Sequence, residues 1–181
     1  MATVPATQSF LAGEKVTAAK LTAATKTPID FLLNPPRVNA FISADVSLPT
    51  STWTLLPFSM EAWDTDGMHS TTTNPSRITI NTSGQYLISF YSRFGYHATG
   101  YRALNLRLNS AGASTGGSTI STIAIGAAPT TGTFVTRTFE MACTAGDHFE
   151  LFAYQTSGTT IVADSGQRVT GMEFRWLGLT A

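Results

Sequence analysis

Tyr86-Leu87-Ile88-Ser89-Phe90-Tyr91 places Tyr86, Ile88 and Phe90 on one face of an extended chain. A little further on, Leu104, Leu106 and Leu108 repeat the two-residue period. Working outward from these two runs, strands are expected over 38–44, 52–58, 76–80, 118–125, 133–143, 148–154, 159–162 and 172–179. Turn-forming clusters punctuate them at Thr82-Ser83-Gly84, at 109–117 and 126–132, at Ala145-Gly146-Asp147 and at Ser157-Gly158. About ten short strands without an intervening long helix predict an all-β, antiparallel sandwich or barrel.

Upstream of Pro35-Pro36 the pattern is different. Lys15, Lys20 and Lys26 all fall there, whereas every arginine lies at or beyond Arg37. Thr17 can cap a helix over Ala18-Ala19-Lys20-Leu21-Thr22-Ala23-Ala24, with Val16, Leu21 and Ala24 near one face. Thr27 is expected to cap a second turn with Pro28 first in it, carrying Ile29, Phe31, Leu32 and Leu33 up to Asn34-Pro35-Pro36. Helices this short are marginal alone and need a partner surface. The chain therefore divides into a helical attachment segment, 1–36, and a β head, 37–181.

Charged residues make up 12% of the 181 residues, and eleven basic groups balance eleven acidic ones. No net field steers the chain toward nucleic acid or anionic lipid. Cys143 is the only cysteine, which excludes an intramolecular disulfide. The first ten residues lack the basic and apolar regions of a secretory signal, and no apolar run approaches a membrane span. Synthesis and assembly in a cytoplasm, without membrane insertion, are expected. On that route the sequon Asn81-Thr82-Ser83 reads as turn chemistry.

Two late strands are apolar on both faces. Phe152 and Tyr154 stand beside Phe149 and Leu151, and Leu177 and Leu179 beside Phe174 and Trp176. Antiparallel sandwich strands normally show one face to water, so the surplus face calls for another subunit, or for the chain's own loops or N-terminal helices.

One ordered series runs through Trp53-Thr54-Leu55-Leu56-Pro57-Phe58, Trp63-Asp64-Thr65-Asp66-Gly67-Met68-His69, and Ile78-Thr79-Ile80 to Gly84-Gln85-Tyr86. With Ala145-Gly146-Asp147-His148-Phe149-Glu150-Leu151, Gln155-Thr156-Ser157-Gly158 and the closing Phe174-Arg175-Trp176-Leu177-Gly178-Leu179, it resembles the complement and tumour-necrosis-factor-like jelly-roll heads. The resemblance implies a jelly roll assembled as a trimer around an apolar axis. On that reading Phe152, Tyr154, Leu177 and Leu179 form the homotrimer interface, with Phe149 and Leu151 facing inward.

The run Ala12-Gly13-Glu14-Lys15-Val16-Thr17-Ala18-Ala19-Lys20-Leu21 through Phe31-Leu32-Leu33-Asn34-Pro35-Pro36 is similar to the leading segments of tail proteins of actinobacterial bacteriophages. It departs from their pattern at Leu21, where an aromatic is common. The resemblance implies a minor tail protein of a virion, with Val16, Leu21, Phe31, Leu32 and Leu33 anchoring it to other virion proteins. No Gly-X-Y stalk of the kind found before animal heads is present in the sequence.

Few motifs carry chemistry. Gly112-Ala113-Ser114-Thr115-Gly116 matches the nucleophile-elbow pattern, yet a strand and not a helix is expected after it. Asp64-Thr65-Asp66-Gly67 has the opening of a calcium loop, but His69 and Pro75 occupy positions where an EF-hand places glycine and glutamate. His69, His97 and His148 share no metal-ligand spacing, and nothing local pairs two of Glu61, Asp64, Glu140 and Glu150. No enzymatic activity, cofactor or metal is expected. Arg93, Tyr96, His97, Tyr101 and Arg102, with Phe94, surround a glycine-containing loop and form a candidate surface for a host cell-surface glycan. The expected function is a trimeric tail appendage of a phage. The alternatives are a capsid decoration protein and a surface-polysaccharide hydrolase or esterase.

Overall fold

The computed structural model describes residues 3–180. Met1, Ala2 and Ala181, the ends of the two expected segments, lie outside the described residues. Helices α1 (Ala18–Ala24) and α2 (Lys26–Leu33) come first. Thr17 caps α1, its hydroxyl accepting from the Lys20 backbone N–H. The second helix starts earlier than expected: Thr25 is its cap residue and makes no side-chain cap bond. Thr27 is thus inside the helix rather than capping it, and Pro28 sits in the first turn, where its missing N–H has no intrahelical partner to lose.

Twelve strands follow: β1 (Arg37–Phe41), β2 (Val46–Leu48), β3 (Thr54–Leu55), β4 (Met60–Asp64), β5 (Arg77–Thr79), β6 (Gly84–Phe94), β7 (Tyr101–Leu108), β8 (Ser118–Gly126), β9 (Thr133–Cys143), β10 (His148–Gln155), β11 (Ile161–Ala163) and β12 (Thr170–Gly178). All pairings are antiparallel. A seven-stranded sheet runs β2-β11-β6-β12-β1-β4, with β9 also paired to β6. The facing five-stranded sheet runs β3-β10-β7-β8, with β5 also paired to β10.

The two-residue period decides what meets between the sheets. From β6 come Tyr86, Ile88, Phe90 and Phe94, from β12 Met172 and Phe174, and from β10 Phe149, Leu151 and Ala153, all buried in one core. Phe149 and Phe174 touch across the two sheets at a ring-centroid distance of 5.0 Å. Each such side chain contributes roughly 1.5–3 kcal/mol by leaving water. Cys143 is in this core, and burial pushes its thiol up to about 12, which keeps it unreactive near neutrality.

Candidate contact surfaces

Neither N-terminal helix buries a residue. Val16, Leu21, Ile29, Leu32 and Leu33 stay exposed, and so do Phe10 and Leu11 ahead of them. Phe31 alone of the expected anchor residues finds a partner in the head, its ring meeting Trp176 edge-on at 4.9 Å. Lys20 is paired with Glu14 and Lys26 with Asp30, so the polar sides of the segment satisfy one another. What remains is an apolar surface on a structure too short to hold it by propensity alone.

The four expected interface residues do not share a patch. Phe152 and Tyr154 lie on the outward face of the five-stranded sheet, because Phe149, Leu151 and Ala153 take the inward positions of β10. Leu177 lies beyond the inward Met172 and Phe174 on β12, in the other sheet, and Leu177 and Leu179 are both exposed. Phe152 is only 2% exposed within the single chain. It stands in register with Leu55 of β3 and Asn105 of β7. Alternation alone does not show this local cover. Tyr154, half-buried, contacts Trp53 at 4.9 Å and Tyr101 at 5.7 Å, making a three-ring cluster on that face.

The candidate glycan loop is also divided. Tyr96 and Tyr101 are exposed, and the Tyr96 hydroxyl donates to the Pro129 carbonyl at 3.1 Å. Arg93 pairs with Asp164 at 3.3 Å, and His97 Nδ1 accepts from the Thr99 backbone at 3.4 Å. Arg102, by contrast, is 0% exposed. Its guanidinium donates to the carbonyls of His97, Thr99 and Tyr101 and holds the loop from beneath, so it offers nothing to an outside ligand. Its alternation partners Leu104 and Leu106 point to the core, and the guanidinium fork is what makes that inward position tolerable.

The motifs of chemistry resolve into turns. The segment carrying Ser114 connects β7 to β8, and no helix follows it. Buried Glu150 pins that turn, accepting from the Ser110 hydroxyl and from the Gly112 N–H at 2.7 Å, while Arg77 pairs with it at 3.3 Å. Burial pushes the Glu150 carboxyl up, but the bonds from Ser110, Gly112 and Arg77 outweigh it and leave it below the ordinary value. Asp64 spends both oxygens on its own turn, accepting from the backbone N–H groups of Asp66 and His69 at 3.1 and 2.9 Å. Asp66 is buried and accepts from the Thr82 hydroxyl at 2.8 Å. The Asn81 amide donates to the Asp66 and Gly67 carbonyls at 2.8 Å each. His69 bridges Glu61 and the Pro75 carbonyl at 2.7 and 3.0 Å. Among the described residues no group of three or more His, Cys, Asp and Glu side chains could hold a metal ion. Glu140 lies on β9 and Glu150 on β10, in different sheets. No helix among the described residues is long and apolar enough to cross a membrane.

Sequence reasoning passed over a cleft of about 370 Å³ on the outward face of the seven-stranded sheet. Trp63, Tyr91, Phe134, Asn39, Arg168 and Arg175 are among its lining residues. The signal was weak, since they come from β1, β4, β6, β9, β12 and the connection before β12, and no local pattern joins them.

No family model and no curated protein matches the chain. Many solved structures share its architecture, three of them as follows. The globular domain of zebrafish complement 1qA protein is 11% identical and covers 80% of this chain and 99% of its own, with a TM-score of 0.53. The Eiger TNF of S. frugiperda is 15% identical over 81% of this chain and 93% of its own, at 0.56. Murine APRIL is 12% identical over 78% and 98%, at 0.58. At these identities the likeness concerns the fold alone: residues beyond the N-terminal helices form a jelly-roll sandwich with the architecture of these domains.

Proposed function

We propose that the chain is a non-enzymatic structural protein of a bacteriophage virion, a trimeric appendage whose N-terminal segment docks on other tail proteins and whose head faces the host surface. The observation that carries this reading is the contrast between the two parts. A well-packed head stands behind two short helices that bury nothing and hold Val16, Leu21, Ile29, Leu32 and Leu33 in the open. Such a segment gains its stability from whatever covers it. The resemblance of the same stretch to phage tail leading segments supplies the kind of partner, and the head's likeness to trimer-forming jelly rolls supplies the assembly.

A cyclic trimer joins two different patches on each copy, since its contacts are heterologous. Tyr154 on one face and Leu177 with Leu179 on the other thus remain usable together. Three heads on one axis add weak contacts by avidity. The test is copy number and place in purified particles, by quantitative mass spectrometry and labelling of the head in electron micrographs. A few copies at the tail are expected. Very many copies over the shell would replace this reading with capsid decoration, and absence from particles would end both.

A further inference from the structure

The cleft between Trp63 and Phe134 has an unusual floor. Asn39 lies mid-strand in β1 and is 2% exposed. Its Nδ2 donates to the Tyr91 hydroxyl at 3.2 Å, and that hydroxyl donates its own proton to the Gln167 carbonyl at 2.7 Å. With its proton committed, Tyr91 can only accept from Asn39, and this fixes which way round the amide sits. Asn39 Oδ1 is therefore the group left over, buried and without a partner. In the adjacent strand Trp63 pairs in register with Asn39, and its indole N–H is likewise buried and unpartnered. An acceptor and a donor left idle on neighbouring strands each carry the desolvation cost of an unmade hydrogen bond.

A hydroxyl group both donates and accepts, so it has the chemistry that either atom lacks. The walls narrow the choice further. Tyr91 and Phe134 stack at 6.3 Å with 24° between their planes, and Trp63 stands on the other side, so the cleft offers flat apolar surfaces beside polar edges. At the rim, Arg175 is held by Glu173 at 3.0 Å, whereas Arg168 has neither an ion pair nor a hydrogen bond among the described residues. A ligand with an apolar ring face, hydroxyls at its edge and one carboxylate fits all of these groups. A volume of about 370 Å³ falls in the range of small-molecule sites, roughly 300–1,000 Å³.

We infer that this cleft binds a carboxylated sugar, its ring against the aromatic walls, hydroxyls on Asn39 and Trp63, and its carboxylate on Arg168. The site is distinct from the loop around Tyr96 and holds whether or not the head belongs to a virion. Titration of the ¹⁵N-labelled full chain with D-glucuronic acid and with D-glucose tests it, read at the indole N–H signals. The Trp63 signal should shift with glucuronic acid, which should bind about tenfold more tightly than glucose, as one charge-assisted bond implies. The exposed substitution Arg168→Gln should leave the spectrum folded and remove that tenfold preference. A still Trp63 signal, equal affinity for the two sugars, an unaffected preference in Arg168→Gln, or shifts confined to Trp53 or Trp176 would each overturn the assignment.

Discussion

Glu150 is the residue on which the outward turn of the five-stranded sheet depends. It is 1% exposed, and its oxygens collect the Ser110 hydroxyl, the Gly112 N–H and Arg77. Changing Glu150→Gln keeps the shape but weakens three bonds, at a cost of about 1–3 kcal/mol at neutral pH. The pH dependence has a definite sign. The Glu150 carboxyl sits below its ordinary 4.5 because its hydrogen bonds and Arg77 outweigh burial. Neighbouring His148 sits below its ordinary 6.5, chiefly through burial and then through the charge of Arg77. Each binds a proton more weakly folded than unfolded, so its stabilising effect is complete above the unfolded value and fades as pH falls through the folded one. The urea midpoint should fall on acidification below 6.5 and more steeply below 4.5. Glu150→Gln should flatten the second part; a variant with an unchanged acid limb would disprove the role given to this carboxylate.

At the scale of elements, Phe31 and Trp176 form the one ring contact between helix and head among the described residues. Phe31→Ala should loosen α2 with at most about 1.5 kcal/mol lost from the head, the ordinary worth of an aromatic pair beyond its area. Faster amide exchange confined to 26–33 and a red shift of Trp176 emission would report it. A large fall in head stability would instead mean that the helices belong to the core. The strands that the sequence revealed are those whose faces differ: β9 runs over the expected 133–143, and β6 shows its alternation throughout. Met60–Asp64 went unseen because it buries no residue and carries a bulge against β1 between Asn39 and Ala40. Val46–Leu48 is too short for a period to show. Between 52 and 58 only Thr54–Leu55 pairs, the rest of that apolar run packing as irregular chain. Side-chain fate was less legible than strand position, because the cover over Phe152 comes from the distant strands β3 and β7, and the nearby carbonyls of His97, Thr99 and Tyr101 converge on Arg102 only in the folded loop.

For the whole molecule, the open question is what meets the sandwich edge formed by β8 and β9. Both are long edge strands, each paired on one side only, and such edges invite association unless blunted. Arg137 supplies some blunting: it shares the alternation of Val135 and Phe139 but is exposed, and its guanidinium donates to the Thr122 carbonyl of β8 at 3.4 Å. A guanidinium there opposes indiscriminate sheet extension while leaving side-chain contacts free. With only 12% charged residues and a net charge of zero, the surface has little repulsion to keep copies apart. Association by side-chain patches rather than by strand addition is therefore the expected outcome, and ring closure through two different patches gives it a finite size. Light scattering of the full chain should return three times the mass of one chain, 19.3 kDa. Leu177→Lys, at an exposed position, should lower that mass while leaving the circular dichroism of the head unchanged. A monomeric parent would remove the trimer, and a trimeric Leu177→Lys would move the contact away from the end of β12.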